Sequence, residues 1–138
     1  MGRVVALDYG RARLGAARSD PSGTIATPLK TIERPLSPAG RRELLALIRE
    51  VEPEVVVVGL PVGLHGGDTQ QTREVRAFAA ALERELGGKP PVELFDERLT
   101  TKLARRVGRE GARAAEDALA AAVLLEGYLR RLEVEDGR

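Results

Sequence analysis

Along the first quarter of the chain the apolar residues come in short runs cut by turn formers. Val4-Val5-Ala6-Leu7 stops at Asp8, and Gly10 supplies a turn. Leu14-Gly15-Ala16-Ala17 follows and is closed by Asp20-Pro21-Ser22-Gly23. Residues 24–32 alternate loosely, with Pro28 favouring an edge position or a bulge. Three short strands with tight connections predict an antiparallel meander. The period then lengthens. Over 37–51, Leu44, Leu45, Leu47, Ile48 and Val51 recur at helical spacing, Pro38 suits a first helical turn and Pro53 ends the helix. Val55-Val56-Val57-Val58 is an unbroken β-branched run, the pattern of a strand buried on both faces. A Gly- and Pro-rich loop over 59–67 leads to a second helix beginning near Thr69. Val75, Phe78, Ala79, Leu82 and Leu86 mark that helix, and Gly87-Gly88 with Pro90-Pro91 stops it. Residues 92–95 predict a fifth strand, Thr100 starts a short helix, and a poorly patterned Arg/Gly segment follows. A last helix covers about 114–132, and the polar stretch 133–138 is expected to fray as a flexible tail.

The order is therefore β-β-β-α-β-α-β-α. The βαβ units require crossovers with helices on the sheet faces, so the expected fold is α/β: one five-stranded mixed sheet, its three N-terminal strands antiparallel, flanked by helices. No internal repeat breaks the pattern, and 138 residues suit a single domain over 1–138.

Composition removes several chemistries. The chain has no Cys, which excludes disulfides, thiolate zinc sites and cysteine nucleophiles, and a lone His65 excludes a multi-histidine metal site. His65 itself is expected at the surface of its loop. Apolar runs fall far short of the ~20 residues of a membrane helix, and Met1-Gly2-Arg3 leads straight into a strand with no room for a secretion signal. The expectation is a cytoplasmic protein without membrane association. Net charge is +1, which neither demands nor excludes nucleic acid as a partner. Its distribution adds something: Arg98, Lys102, Arg105, Arg106, Arg109 and Arg113 face a single acid, Glu110. Guanidinium groups suit bidentate phosphate contacts. Two Phe, two Tyr and no Trp make an aromatic base-stacking platform a poor expectation.

Three acidic positions carry the candidate chemistry. Asp8 closes the first strand, Asp96 and Glu97 close the fifth, and strand ends are where sites gather in α/β sheets. In the last helix, Glu126, Arg130 and Glu133 point ~160–220° away from Asp117, while Ala121, Leu124 and Tyr128 share its side within ~40°. The Asp117 carboxylate thus faces the body of the protein, either as a helix cap or as a ligand. Carboxylates without His or Cys prefer hard divalent cations, Mg²⁺ or Mn²⁺.

These residues resemble the motifs of the YqgF/RuvX-like family of Holliday-junction-resolvase-like or pre-rRNA nucleases. Asp8-Tyr9-Gly10 with Arg13 and Gly15 is similar to its opening signature, and Val58-Gly59-Leu60-Pro61 with Gly66 to its second motif. Asp96-Glu97-Arg98-Leu99-Thr100-Thr101 with Ala104 is similar to the third, and Asp117 with Ala120-Ala121, Leu125-Glu126 and Tyr128-Leu129 to the last. Gly63 stands where many relatives have Asn, and Ala114-Ala115-Glu116 replaces basic residues before the last Asp.

The resemblance implies an RNase H-like fold and metal-dependent phosphodiester hydrolysis. It assigns Asp8, Glu97 and Asp117 as catalytic metal ligands for two Mg²⁺ or Mn²⁺ ions. Asp96, by strand alternation, points to the other side. The implied substrate is the 5′ end of the 16S rRNA precursor, or alternatively a four-way DNA junction. A non-catalytic RNA-binding ribosome assembly factor and a two-domain sugar-kinase-type phosphotransferase are competing classes, and either monomer or homodimer is compatible. Arg13, Arg98, Thr100, Thr101, Arg105, Arg106, Arg109 and Arg113 are candidate nucleic-acid contacts. Their alternatives are packing over the first turn for Arg13, neutralising the acids for Arg98, helix capping for the two Thr, and solvated charge for the rest. Gly10, Gly15, Gly59, Pro61 and Gly66 are expected to shape loops beside the site, Gly10 and Gly15 with backbone N–H groups near phosphate.

Overall fold

A computed structural model describes residues 2–61, 68–96 and 113–135. Five strands, β1 (Val4–Asp8), β2 (Arg13–Ser19), β3 (Ala26–Glu33), β4 (Val55–Leu60) and β5 (Val92–Asp96), form one sheet in the order β3-β2-β1-β4-β5. β1–β2 and β2–β3 are antiparallel, β1–β4 and β4–β5 parallel, so the mixed sheet is as expected. This is the RNase H-like architecture that the sequence motifs imply. Three helices are described: α1 (Pro38–Val51), α2 (Gln70–Leu86) and α3 (Arg113–Glu135). The short helix expected from Thr100 lies outside the described residues.

Strand alternation splits the interior into two layers. Odd-numbered Val5 and Leu7 of β1 join Leu14, Ala16, Ile32, Val56 and Val58 against α1 and α2, whose apolar faces supply Leu44, Leu47, Ile48, Val75, Phe78 and Leu82. Even-numbered Val4 and Ala6 join Ala17 and Val57 against α3, which supplies Ala121, Leu124, Leu125, Tyr128 and Leu129. Glu126, Arg130 and Glu133 are exposed, as the angular count around α3 requires.

Local chemistry fixes the ends. Ser37 Oγ accepts from Gly40 N–H and Pro38 opens α1. Thr69 and Thr72 close a reciprocal capping box on α2, and Gly87 ends it at φ +67°. Asp20 Oδ1 accepts from the N–H groups of Thr24 and Ile25, 2.8 Å each, which holds those two residues in the turn and delays β3 to Ala26. Pro28 sits on the edge strand beside a register shift, so both consequences of that proline appear together.

Two later boundaries also differ from the sequence reading. β4 continues through Gly59, paired with Phe95, and Leu60, paired with Asp96, where a loop was expected. α3 runs on to Glu135, beyond the end near 132 that the pattern predicts, and its last turn carries an Arg131–Glu135 pair at 3.2 Å.

Candidate active site

Asp8 is the last residue of β1 and carries the parity of Val4 and Ala6, the α3-facing side. Its partner across the antiparallel ladder is Gly15. On the other side, β1 and β4 run in register through Leu7–Val58, so the next position along β4 is Gly59, which shares the α3-facing parity of Val57. Asp8 therefore stands between two glycines in the sheet.

Gly15 has a second reason to lack a side chain. A Cβ there would lie 1.9 Å from the carbonyl oxygen of Asp117 and 2.3 Å from its carbonyl carbon. The backbone of α3 thus rests on β2 at the residue paired with Asp8, and Asp8 and Asp117 converge on one glycine. Arg13 lies two residues earlier on the same face of β2, and its Nε donates to Asp117 Oδ2 at 2.9 Å. Both side chains are mostly withdrawn from water, at 29% and 30% exposure.

The other side of the β1–β2 turn is tied to α2. A Cβ on Gly10 would sit 2.8 Å from the Arg13 carbonyl oxygen, so this turn is tight. Tyr9 points away from Asp8 and stacks on Phe78, ring centroids 4.3 Å apart; burial and then the nearby Glu74 charge raise its phenol pKa. Arg11 forms an ion pair with Glu74, which holds that carboxylate below its usual range. Thr72, at the start of α2, donates its hydroxyl to the Pro61 carbonyl at 2.7 Å and so anchors the end of β4.

The sequence-derived candidates distribute as follows. Asp8, Arg13, Gly15, Gly59 and Asp117 come together. Gly15 and Gly59, expected to shape loops, are strand residues, and Gly15 admits the α3 backbone. Gly10 lies between β1 and β2, and Pro61 directly follows β4. Asp96 has the parity of Val92, on the α1/α2 side, opposite Phe95. Arg113 opens α3. Glu97, Arg98, Thr100, Thr101, Arg105, Arg106, Arg109 and Gly66 lie outside the described residues. Among the described residues no three acids gather as a metal site.

Sequence reasoning missed the Arg11–Glu74 pair and a cluster further along the α3 face. There Tyr128 donates to Glu93 at 2.6 Å, meets Phe95 edge-on at 5.6 Å, and Arg131 lies over the Phe95 ring. Counting β5 alternation back from Asp96 pairs Glu93 with Phe95 on one face, the available signal for that cluster.

Residues 2–131 match the family described as "RuvX: Holliday junction resolvase". The chain belongs to the RuvX family. Curated RuvX relatives named "Putative pre-16S rRNA nuclease" include one from Koribacter versatilis, 39% identical over 97% of this chain and 90% of its own length. Another, from Moorella thermoacetica, is 43% identical over 94% of this chain and 96% of its own. Among solved structures, Thermus thermophilus RuvC in complex with a Holliday junction substrate superposes with a TM-score of 0.59 over 95% of both chains at 19% identity, a likeness of fold. RuvX membership implies nuclease activity on nucleic acid at the level of the family. No helix among the described residues is long and apolar enough to cross a membrane.

Proposed function

We propose that this chain is a divalent-metal-dependent endonuclease that matures the 5′ end of the 16S rRNA precursor. The observation that carries the proposal is the convergence of Asp8 and Asp117 on Gly15. Carboxylate oxygens with no thiolate or imidazole suit Mg²⁺ or Mn²⁺. Asp8, Asp117 and Glu97 would hold two such ions. Glu97 enters as the third ligand that the resemblance to the RuvX motifs implies. When bound, the ions supply an activated water and stabilise the leaving oxygen of a phosphodiester.

The chain's own contribution is placement. Asp8 is fixed by ladder pairing at a strand end, and Asp117 by a helix that cannot approach β2 so closely at any residue but glycine. The basic residues between Arg98 and Arg113 are proposed to bind the nucleic-acid backbone, and the cytoplasm is the compartment that fits this substrate.

A second reading is resolution of four-way DNA junctions. The family description and the fold likeness to junction-bound RuvC favour it. Precursor rRNA ranks first because the relatives bearing that name match at about twice the identity, 39–43% against 19%.

Purified protein should cleave an end-labelled precursor rRNA 5′ segment only with Mn²⁺ or Mg²⁺, and D8N should abolish the cuts. Preferential cutting of a four-way DNA junction in the same assay would select the second reading. Full metal-dependent cleavage by both D8N and D117N would sink the mechanism. Tight binding of RNA without turnover would point to an assembly factor.

A further inference from the structure

Arg13 is the candidate whose surroundings in the fold differ most from those its sequence position suggests. Rather than extending toward solvent, it reaches across 104 positions of chain to place Nε 2.9 Å from Asp117 Oδ2. The contact lies two residues from Gly15, against which the α3 backbone packs, so the pair is locked in register with the helix–sheet packing. With exposures of 29% and 30%, it is also unlike a surface ion pair, whose net worth is small. A carboxylate offers about four lone-pair sites on two oxygens. A donor at Oδ2 fixes the rotation of the group and leaves Oδ1 to another ligand.

We propose that Arg13 is a positioning residue: through the Nε–Oδ2 bond it holds Asp117 so that Oδ1 is presented to a divalent cation shared with Asp8. This rests on the metal reading of the site given above. Carboxylates that bind metals are themselves held by outer hydrogen bonds, and loss of such a partner typically weakens affinity ~10–100-fold. A guanidinium near the cation also repels it. The proposal commits to orientation outweighing that repulsion. The proposal thus assigns Arg13 to the metal site rather than to the nucleic-acid-binding set.

The deciding experiment is a Mn²⁺ titration of the protein without nucleic acid, read by loss of the free-ion electron paramagnetic resonance signal. Wild type, R13Q, R13K and D117N are compared, each with its circular-dichroism melt. The expected result is affinity weakened ~10–100-fold in R13Q. R13K keeps the charge but not the planar fork, and should fall between R13Q and wild type. Affinity in R13Q equal to or tighter than wild type, alongside a loss in D117N, overturns the role of Arg13 and leaves the metal site standing. Unchanged affinity in D117N overturns the metal reading itself. If R13Q fails to fold, R13K decides: weaker binding than wild type supports the proposal, equal binding overturns it. In a second arm, RNA binding is measured against salt in EDTA. R13Q should leave the slope unchanged, and a slope smaller by ~0.7–0.9 would make Arg13 a phosphate contact after all.

Discussion

Replacing Gly15 by alanine tests the geometry on which the whole site depends. The added Cβ would begin 1.9 Å from the Asp117 carbonyl oxygen, and real Cβ contacts essentially never fall below 3.0 Å, so backbone must separate from backbone by more than 1 Å. No flexible side chain is available to absorb that shift. α3 would have to lift or tilt, loosening the contacts that Ala121, Leu124 and Leu125 make with Ala6, Ala17 and Val57. Overpacking of this kind costs typically ~1–3 kcal/mol, and a backbone-on-backbone clash belongs at the upper end. With an unfolding entropy of about 2.1 cal/mol/K per residue, ~3 kcal/mol lowers the Tm of a chain this long by roughly 10 °C. Differential scanning calorimetry of G15A measures it. G87A is the contrasting variant, because Gly87 has φ +67° but open space around its Cβ, so it carries conformational strain of ~1–2 kcal/mol without a clash. A G15A melting temperature within 2 °C of wild type, or a smaller loss than in G87A, would refute the close-contact account of the Asp8–Asp117 convergence.

Two further outcomes follow from groups that brace the same region. Thr72 is 1% exposed and its hydroxyl joins Pro61 and Thr69, so T72V should lose ~1–3 kcal/mol in a denaturant melt while T72S recovers most of it; equal stability of T72V and wild type would count against the bond. Tyr128 is raised well above the ordinary phenol value of 10.0, chiefly by burial and then by its bond to Glu93, and Tyr9 is raised by burial and Glu74. A folded pKa above the unfolded one contributes stability that is full below pH ~10 and lost as pH climbs through the folded values. Tyrosinate absorbance at 295 nm should therefore appear only above pH 10 and coincide with alkaline unfolding. Ordinary titration near pH 10 in a folded protein would contradict the burial argument.

How far the fold was legible depended on which physical signal each element carries. Short apolar runs bounded by turn formers and 3.6-period stripes located every described strand and helix, because burial on one or two faces is written directly into those patterns. The misses share a cause. Gly59 reads as loop in isolation and is a strand residue because β5 lies beside it to complete the ladder. Gly15 reads as a phosphate-turn glycine, yet its use is steric and involves a helix a hundred positions away. The inward direction of Asp117 was calculable from the helical angle alone. That Arg13 awaits it was not, since the pairing depends on β2 lying beneath α3.

The segment from Asp8 to Gly15 is where these dependencies meet. Alternation sends Asp8, Arg13 and Gly15 to the α3 side, while Tyr9 and Arg11 reach α2 through Phe78 and Glu74. One hairpin is thereby gripped by both helical layers, and Asp8 sits at its root with little freedom to drift. A carboxylate pair serves a cation only if it is held within about half an ångström of the productive geometry. The sheet supplies Asp8 and the helix supplies Asp117, and this hairpin touches both. A substitution that loosens the α2 side, at Arg11 or Glu74, should consequently disturb Asp8 without disturbing Asp117. One that loosens the α3 side, at Arg13 or Gly15, should do the reverse, so the two halves of the site are separable by mutation although they share eight consecutive residues.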